Sequence, residues 1–186
     1  DAAEIPGGRG DGVPVSSLIE LQNGAKPVAM LTGQPKQHYL LSGSGGYGFI
    51  AKLGDMVGRV KAGKVVMTVD SGETVLPPIA VYASSLINPD CKIVLASSDH
   101  RLLAFSIGEL KVMPKGRGLQ LMSLTDGASL EHVLVTTAAE FIVETVGKRG
   151  AAHQEKLRIC DIDGKRGKKG KVLDVSGRLK TIKAGD

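Results

Sequence analysis

The feature that most restricts how this chain can fold is a spacing. Four glycine-flanked basic segments, Gly8-Arg9-Gly10, Lys61-Ala62-Gly63-Lys64, Lys115-Gly116-Arg117-Gly118 and Lys168-Lys169-Gly170-Lys171, recur at steps of 53, 54 and 53 residues. Each of the last three leads into an apolar run, beginning at Val65, Leu119 and Val172. The residues upstream repeat as well: Tyr39 to Met56 lies 54 positions before Ile93 to Leu110. A period of this length marks a propeller or solenoid, in which one unit cannot bury its own apolar face and stacks on its neighbours. With 186 residues the chain holds about three and a half such units, fewer than the four to eight blades of a closed propeller. The expectation is a single all-β domain over 1–186, a propeller-like repeat fragment with an incomplete or open ring. The units run roughly over 8–60, 61–114, 115–167 and 168–186.

Inside a unit the pattern is that of strands. Short runs rich in Val, Ile, Leu, Thr and Ser are broken every 8 to 12 residues by Gly, Pro or Asp, as at Gly43 to Gly48, Gly72, Pro77-Pro78, Asp99 and Asp126-Gly127. Three or four strands per unit follow. Leu130 to Val146 contains alanines and glutamates that suit a helix, yet its two halves are β-branched and separated by Ala138-Ala139-Glu140. The expectation there is a hairpin.

Charge is segregated along the chain. The segments 8–10, 59–64, 111–117, 148–149 and 165–171 hold 14 of the 24 lysines and arginines and none of the 19 acids, so a net charge of only +5 conceals strongly basic patches. Blocks of this kind suit a surface that meets a polyanion. No apolar run approaches the roughly 18 residues of a membrane span, and the first residues lack a secretory pattern, so a cytosolic location is expected. Cys91 and Cys160 lie far apart and read as buried, reduced thiols. His38, His100, His132 and His153 are never within five residues of one another or of a cysteine, and no metal site is expected.

Several motif look-alikes fail on context. Gly43-Ser44-Gly45-Gly46-Tyr47-Gly48 spells a dinucleotide fingerprint, but Phe49 to Leu53 reads as a strand where a helix N-terminus is required, so a hairpin turn is expected. Gly58 to Lys64 begins like a phosphate loop, but Val65 stands where Ser or Thr must ligate magnesium. Arg9-Gly10-Asp11 is a chance tripeptide in a chain without disulfides. Glu155, Asp161 and Asp163 cap turns or pair with Lys156 and Arg158 rather than holding a cation. No nucleophile stands in a recognisable catalytic arrangement, so no catalytic residue is assigned.

The basic turns remain. Lys and Arg neutralise phosphates, glycine lets main-chain N–H groups approach them, and neither reads base sequence from a loop. Aromatic residues make up only 3% of the chain, with no Trp, which argues against single strands and their stacking platforms. Equivalent turns around a rim favour a curved duplex. The expected contacts are Arg9, Arg59, Lys61, Lys64, Lys115, Arg117, Lys148, Arg149, Lys165, Arg166, Lys168, Lys169 and Lys171. The alternative is a propeller whose basic face docks an acidic protein or an anionic membrane surface.

Gly46-Tyr47-Gly48-Phe49, Arg59 to Lys64, Leu76-Pro77-Pro78, Lys115 to Gly118, Val146 to Arg149 and Arg166 to Gly170, in this order and spacing, resemble the gyrase A / topoisomerase IV A C-terminal domain family. The resemblance covers nearly the whole chain and lies closest to the topoisomerase IV branch. It implies a β-pinwheel, a propeller whose blades exchange strands and whose rim engages and bends double-stranded DNA. It also implies that the cleavage tyrosine lies outside this chain, so that Tyr39, Tyr47 and Tyr82 are not catalytic. This fragment would carry no cofactor, with Mg2+ and ATP used elsewhere in the holoenzyme. The implied partners, within a heterotetramer, are a second copy of the A protein and the ATP-hydrolysing topoisomerase IV B protein. The implied location is the bacterial cytoplasm at the nucleoid, with peripheral contact at the inner membrane face left open. Only Lys165 to Lys171 approaches the basic box of gyrase A, which implies capture that steers relaxation and decatenation rather than full chiral wrapping.

Overall fold

The computed structural model describes residues 7–8, 10–22, 24–147, 150–174 and 177–185. In chain order its strands are β1 (His38–Ser42), β2 (Tyr47–Lys52), β3 (Ile79–Val81), β4 (Lys92–Ser97), β5 (Arg101–Ser106), β6 (Leu119–Gln120), β7 (Leu130–Thr136), β8 (Glu140–Val146), β9 (Ala152–Arg158), β10 (Lys171–Val172) and β11 (Arg178–Ala184). Helices are confined to single turns such as α1 (Val15–Leu18), α2 (Leu53–Met56) and α3 (Ala83–Ile87). The result is nearly all-β, as the β-branched runs and frequent turn residues dictate.

Three antiparallel sheets form, in the orders β3-β1-β2-β6, β10-β5-β4-β7 and β11-β8-β9. Each is built on a tight hairpin. The glycine-rich stretch at 43–46 is the turn between β1 and β2, with the Gly46 N–H donating to the Gly43 carbonyl at 3.0 Å. His100 and Gly150 occupy the same turn position in the next two hairpins, donating to Ser97 and Gly147 at 3.0 and 2.9 Å. All three have positive φ, and His100 (φ 60) is the one non-glycine residue among those described to adopt it.

The sheets stack face to face, and burial follows from that layering. Tyr39, Leu41, Phe49 and Ala51 point to one side of the first sheet, onto Leu31, Leu53, Met56, Val66, Met67 and Met113. Leu40 and Ile50 point to the other, where they meet Ile93, Leu95, Leu103 and Phe105 of the second sheet. Val94, Ala96, Leu102 and Ala104 then pack against Phe141, Val143, Leu179 and Ile182 of the third. Hairpins covered on both faces therefore read as continuous apolar runs: β1 and β4 are buried at every position after the first. In β8 burial alternates strictly, because among the described residues the third sheet packs on a neighbour at one face only. Phe49, Phe105 and Phe141 are fully buried, each worth about 1.5–3 kcal/mol.

Sheets are completed by strands from elsewhere in the chain. β6 lies beyond the second hairpin and pairs with β2 of the first, Gly48 opposite Leu119. β10 lies beyond the third hairpin and pairs with β5 of the second, Leu102 opposite Lys171. At the opposite edges β3, β7 and β11 pair with β1, β4 and β8. β7 touches both β3 and β11, so these strands form the inner edges around an axis, and β6 and β10 lie on the outside.

Two expectations require correction. Leu130 to Val146 does form two strands, but they are not a hairpin: β7 closes the second sheet on β4, and β8 opens the third. Residues 137–139 are a crossing between sheets, and β4 offers β7 a full edge that β8 does not compete for. Cys160 is exposed, whereas Cys91 is buried as expected. It sits in a turn of 3-10 helix, Ile159–Asp161, that sends Ile159 inward and the next side chain out.

Candidate nucleic-acid interface

The exchange strands explain where the basic turns stand. The turns at 115–118 and 168–171 immediately precede β6 and β10, and so are carried onto the outer edges of the first and second sheets. Close approach there requires glycine. Gly118 has φ +88 and a Cβ at that position would lie 2.3 Å from the Gly48 carbonyl oxygen. Gly170 has φ +74 and its Cβ would lie 2.5 Å from the Leu102 oxygen. Through these contacts Gly118, Leu119 and Arg117 correspond to Gly170, Lys171 and Lys169.

Successive turns are also tied to one another by matching backbone bonds. The Gly116 N–H donates to Val66 O at 2.9 Å and the Thr68 N–H to Gly116 O at 3.1 Å, joining the second turn to the segment just after the first. The Gly167 N–H donates to Leu121 O at 2.8 Å and the Ser123 N–H to Lys168 O at 3.1 Å, joining the third turn to the second in the same way. The turns thus form an arc advancing one sheet at a time. At about 10 Å between packed sheets, three turns span about 20 Å, or roughly six base-pair steps of a duplex.

The side chains on this arc divide into two groups. Arg59, Lys61, Lys64, Lys115, Lys165, Lys168, Lys169 and Lys171 are exposed. Two of them are steadied by backbone carbonyls: Lys64 Nζ donates to Asp55 O at 2.8 Å, and Lys171 Nζ donates to Asp161 O. Arg117 and Arg166 are half-buried and turned inward. Arg117 lies over the Tyr47 ring at 4.0 Å and pairs with Asp70 at 2.7 Å and Glu73 at 3.5 Å. Arg166 donates from Nη1 to Gln120 O at 2.7 Å, while its backbone N–H donates to a Glu109 carboxylate oxygen at 3.1 Å. The Nε of each is buried without an acceptor among the described residues. Arg9, Lys148 and Arg149 lie outside the described residues.

Sequence reasoning did not find the braces of these turns. Tyr47 and Arg101 occupy equivalent places at the start of β2 and β5, opposite Gln120 and Val172. Tyr47 carries Arg117, and Arg101 Nη1 reaches the Gly170 carbonyl at 3.4 Å while Nε pairs with Asp99 at 3.1 Å. Burial tends to raise the Asp99 pKa, but hydrogen bonds from Ser97, Thr125, the backbone and Arg101 outweigh it and hold the carboxyl below its ordinary value. The available signal was positional, since both residues directly follow the positive-φ residue of a hairpin turn.

Elsewhere several acids are engaged with cations. Asp163 pairs with Lys92 at 2.8 Å, Asp161 with Arg158 at 3.1 Å and Glu140 with Lys156 at 2.6 Å. Among the described residues no three His, Cys, Asp or Glu side chains converge to hold a metal, and no helix is long and apolar enough to cross a membrane.

No protein-family model matches the chain. The A subunit of DNA topoisomerase 4 from Neisseria gonorrhoeae is 71% identical over 182 residues, covering 98% of this chain and 24% of that protein. The Escherichia coli K12 protein of the same name is 27% identical, covering 93% of this chain and 23% of its own length. The chain therefore spans about a quarter of the curated relatives it matches. Among solved structures, the E. coli ParC C-terminal domain superposes with a TM-score of 0.87 at 24% identity, covering all of this chain and 76% of that one. A DNA gyrase A C-terminal domain superposes with a TM-score of 0.67 at 19% identity, covering 92% and 58%. Both likenesses place the three sheets in the β-pinwheel fold.

Proposed function

This chain belongs to the C-terminal β-pinwheel family of topoisomerase IV A proteins, and from that premise we propose that it is a non-catalytic module which captures and bends duplex DNA along its arc of basic turns. The observation that carries the reading is the repeated construction of that arc. The turns at 115–118 and 168–171 share a strand exchange, a close-approach glycine, a pair of backbone bonds to the segment after the preceding turn, and exposed lysines. An array of cations at sheet spacing suits a backbone that presents phosphates at regular intervals, and its curvature favours a bent path. Glycine-rich turns without base-reading side chains suit binding that ignores sequence.

In the intact enzyme the module would steer a type II topoisomerase toward relaxation and decatenation. Cleavage, Mg2+ and ATP use would lie in other regions. Those regions would also carry assembly with a second copy of the A protein and with the B protein, in the cytoplasm. Arg59, Lys61, Lys64, Lys115, Lys165, Lys168, Lys169 and Lys171 would make the phosphate contacts, with Arg9, Lys148 and Arg149 joining them. Arg117 and Arg166 would hold the turns in place.

The test is anisotropy of a labelled duplex of about 40 base pairs between 50 and 200 mM salt. Engagement of about six phosphates requires affinity to fall by about a thousandfold over that range, equally for unrelated sequences. Absence of binding at the lowest salt by folded protein would transfer the basic arc to an acidic protein partner.

A further inference from the structure

The inner edges of the sheets enclose a second polar site that the basic arc does not use. A cavity of about 740 Å³ opens at the axis, between the first hairpin turn, the start of β7 and the start of β11. Arg178 and Lys180 of β11 line one side of it, and neither closes an ion pair or a hydrogen bond among the described residues. Most other cations of the second and third sheets are paired: Lys92, Arg101, Lys156, Arg158 and Lys183 all have a carboxylate. Among the described lining residues Glu131 is the one acid, and Glu144, which acts on Lys180 from β8, is already paired with Lys183.

The facing wall supplies hydroxyl donors. Ser44 Oγ accepts the Thr74 N–H at 2.9 Å, which leaves its own proton free, and Ser129 contributes a second hydroxyl. Between them the half-buried Leu76 and Val146 make an apolar floor, with Leu130 and Leu179 buried behind it. His132 closes the base, in hydrogen-bonding contact with the Leu179 backbone. Unpaired cations and hydroxyls over an apolar floor are the makings of a site for an anion attached to a flat or apolar body, and the volume lies in the range of small-molecule sites, about 300–1,000 Å³. Inorganic phosphate alone would leave most of it empty.

We propose that this axial cavity binds an organic phosphate of mononucleotide size, its phosphate between Arg178 and Lys180 and its heterocycle against Leu76 and Val146. The guanidinium of Arg178 can both pair with the phosphate and stack on a ring, which Lys180 cannot do. The site is separate from the outer arc and does not depend on the arc's role in DNA capture.

Calorimetric titration with adenosine 5′-monophosphate, adenosine and inorganic phosphate tests it on the whole chain. The expected result is one saturable site for the nucleotide with Kd below about 1 mM, and binding of adenosine and of inorganic phosphate each weaker by about tenfold or more. Arg178→Gln combined with Lys180→Gln should weaken the nucleotide by about tenfold or more, with duplex affinity changed less than about twofold. Both substituted side chains are exposed, so the fold is retained, and an unchanged thermal midpoint confirms it. The proposal is overturned by no saturation at about 10 mM nucleotide, by equal binding of the three probes, or by loss of nucleotide binding in Lys168→Gln/Lys169→Gln instead.

Discussion

Replacing Arg117 by alanine should cost stability and leave the salt dependence of DNA binding where it was. The guanidinium makes three contacts: Asp70 at 2.7 Å, Glu73 at 3.5 Å and the Tyr47 ring at 4.0 Å. Asp70 is 57% exposed, so that pair is worth only about 0–1 kcal/mol. Stacking on Tyr47 adds about 0.5–1 kcal/mol. Glu73 is 20% exposed and its carboxylate lies over Gly45, where a Cβ would sit 1.8 Å from it, so removing the cation strands a partly buried charge at about 1 kcal/mol. The total is about 2 kcal/mol, or a fall in Tm of about 4–8 °C. Urea titration gives the free energy, and anisotropy across the salt range gives the slope. Lys168→Gln/Lys169→Gln should behave in the opposite way, reducing the slope by about two and leaving the urea midpoint in place. A stable Arg117→Ala protein whose slope has dropped by about one would refute the assignment, because it would mean that the arginine swings out to a phosphate.

Further expectations follow from the same structure. Gly118→Ala and Gly170→Ala each drive a methyl into a facing carbonyl at positive φ and should cost about 2–4 kcal/mol by urea unfolding, whereas Gly127→Ala, with φ +73 and open space, should cost only about 1 kcal/mol. Burial lowers the His132 pKa, with Glu131 opposing and Arg178 reinforcing the shift. The unfolded chain therefore binds the proton more readily: the contribution to stability is complete above the ordinary value of about 6.5 and is lost as pH falls through the depressed folded value. His132→Gln should flatten that part of the stability profile in acid. Cys160 should react with a thiol reagent in the native protein while Cys91, whose thiol pKa is pushed up by burial, stays silent until unfolding; two fast equivalents would contradict the packing.

The strand-rich character and the turn at 43–46 were legible because each is local: β-branched runs and glycine act within about ten residues. Strand partnership was not. The rule that consecutive strands pair suggested a hairpin for β7 and β8, but the available edge of β4, more than thirty residues upstream, wins. The basic arc was legible as a set of residues and not as a set of roles. Nothing near Arg117 in sequence announces Asp70 and Glu73, which reach it only because β6 is carried onto β2. Arg178, Lys180 and His132 were missed for a similar reason. His132 lies more than forty residues from Arg178 and Lys180, and only the meeting of inner edges gathers them.

Strand exchange also governs how an array of this kind can change in length. A hairpin is not a removable unit here, since its outer edge is finished by residues more than sixty positions onward. Excising one repeat at its hairpin boundaries would leave a bare edge on one side of the cut and a homeless strand, with its basic turn, on the other. A duplication or deletion that respects the seams, joining one exchange strand to the next, heals both at once. Recombination among repeats is thereby confined to a few joints, and any that succeeds adds or subtracts a basic turn together with the sheet that supports it.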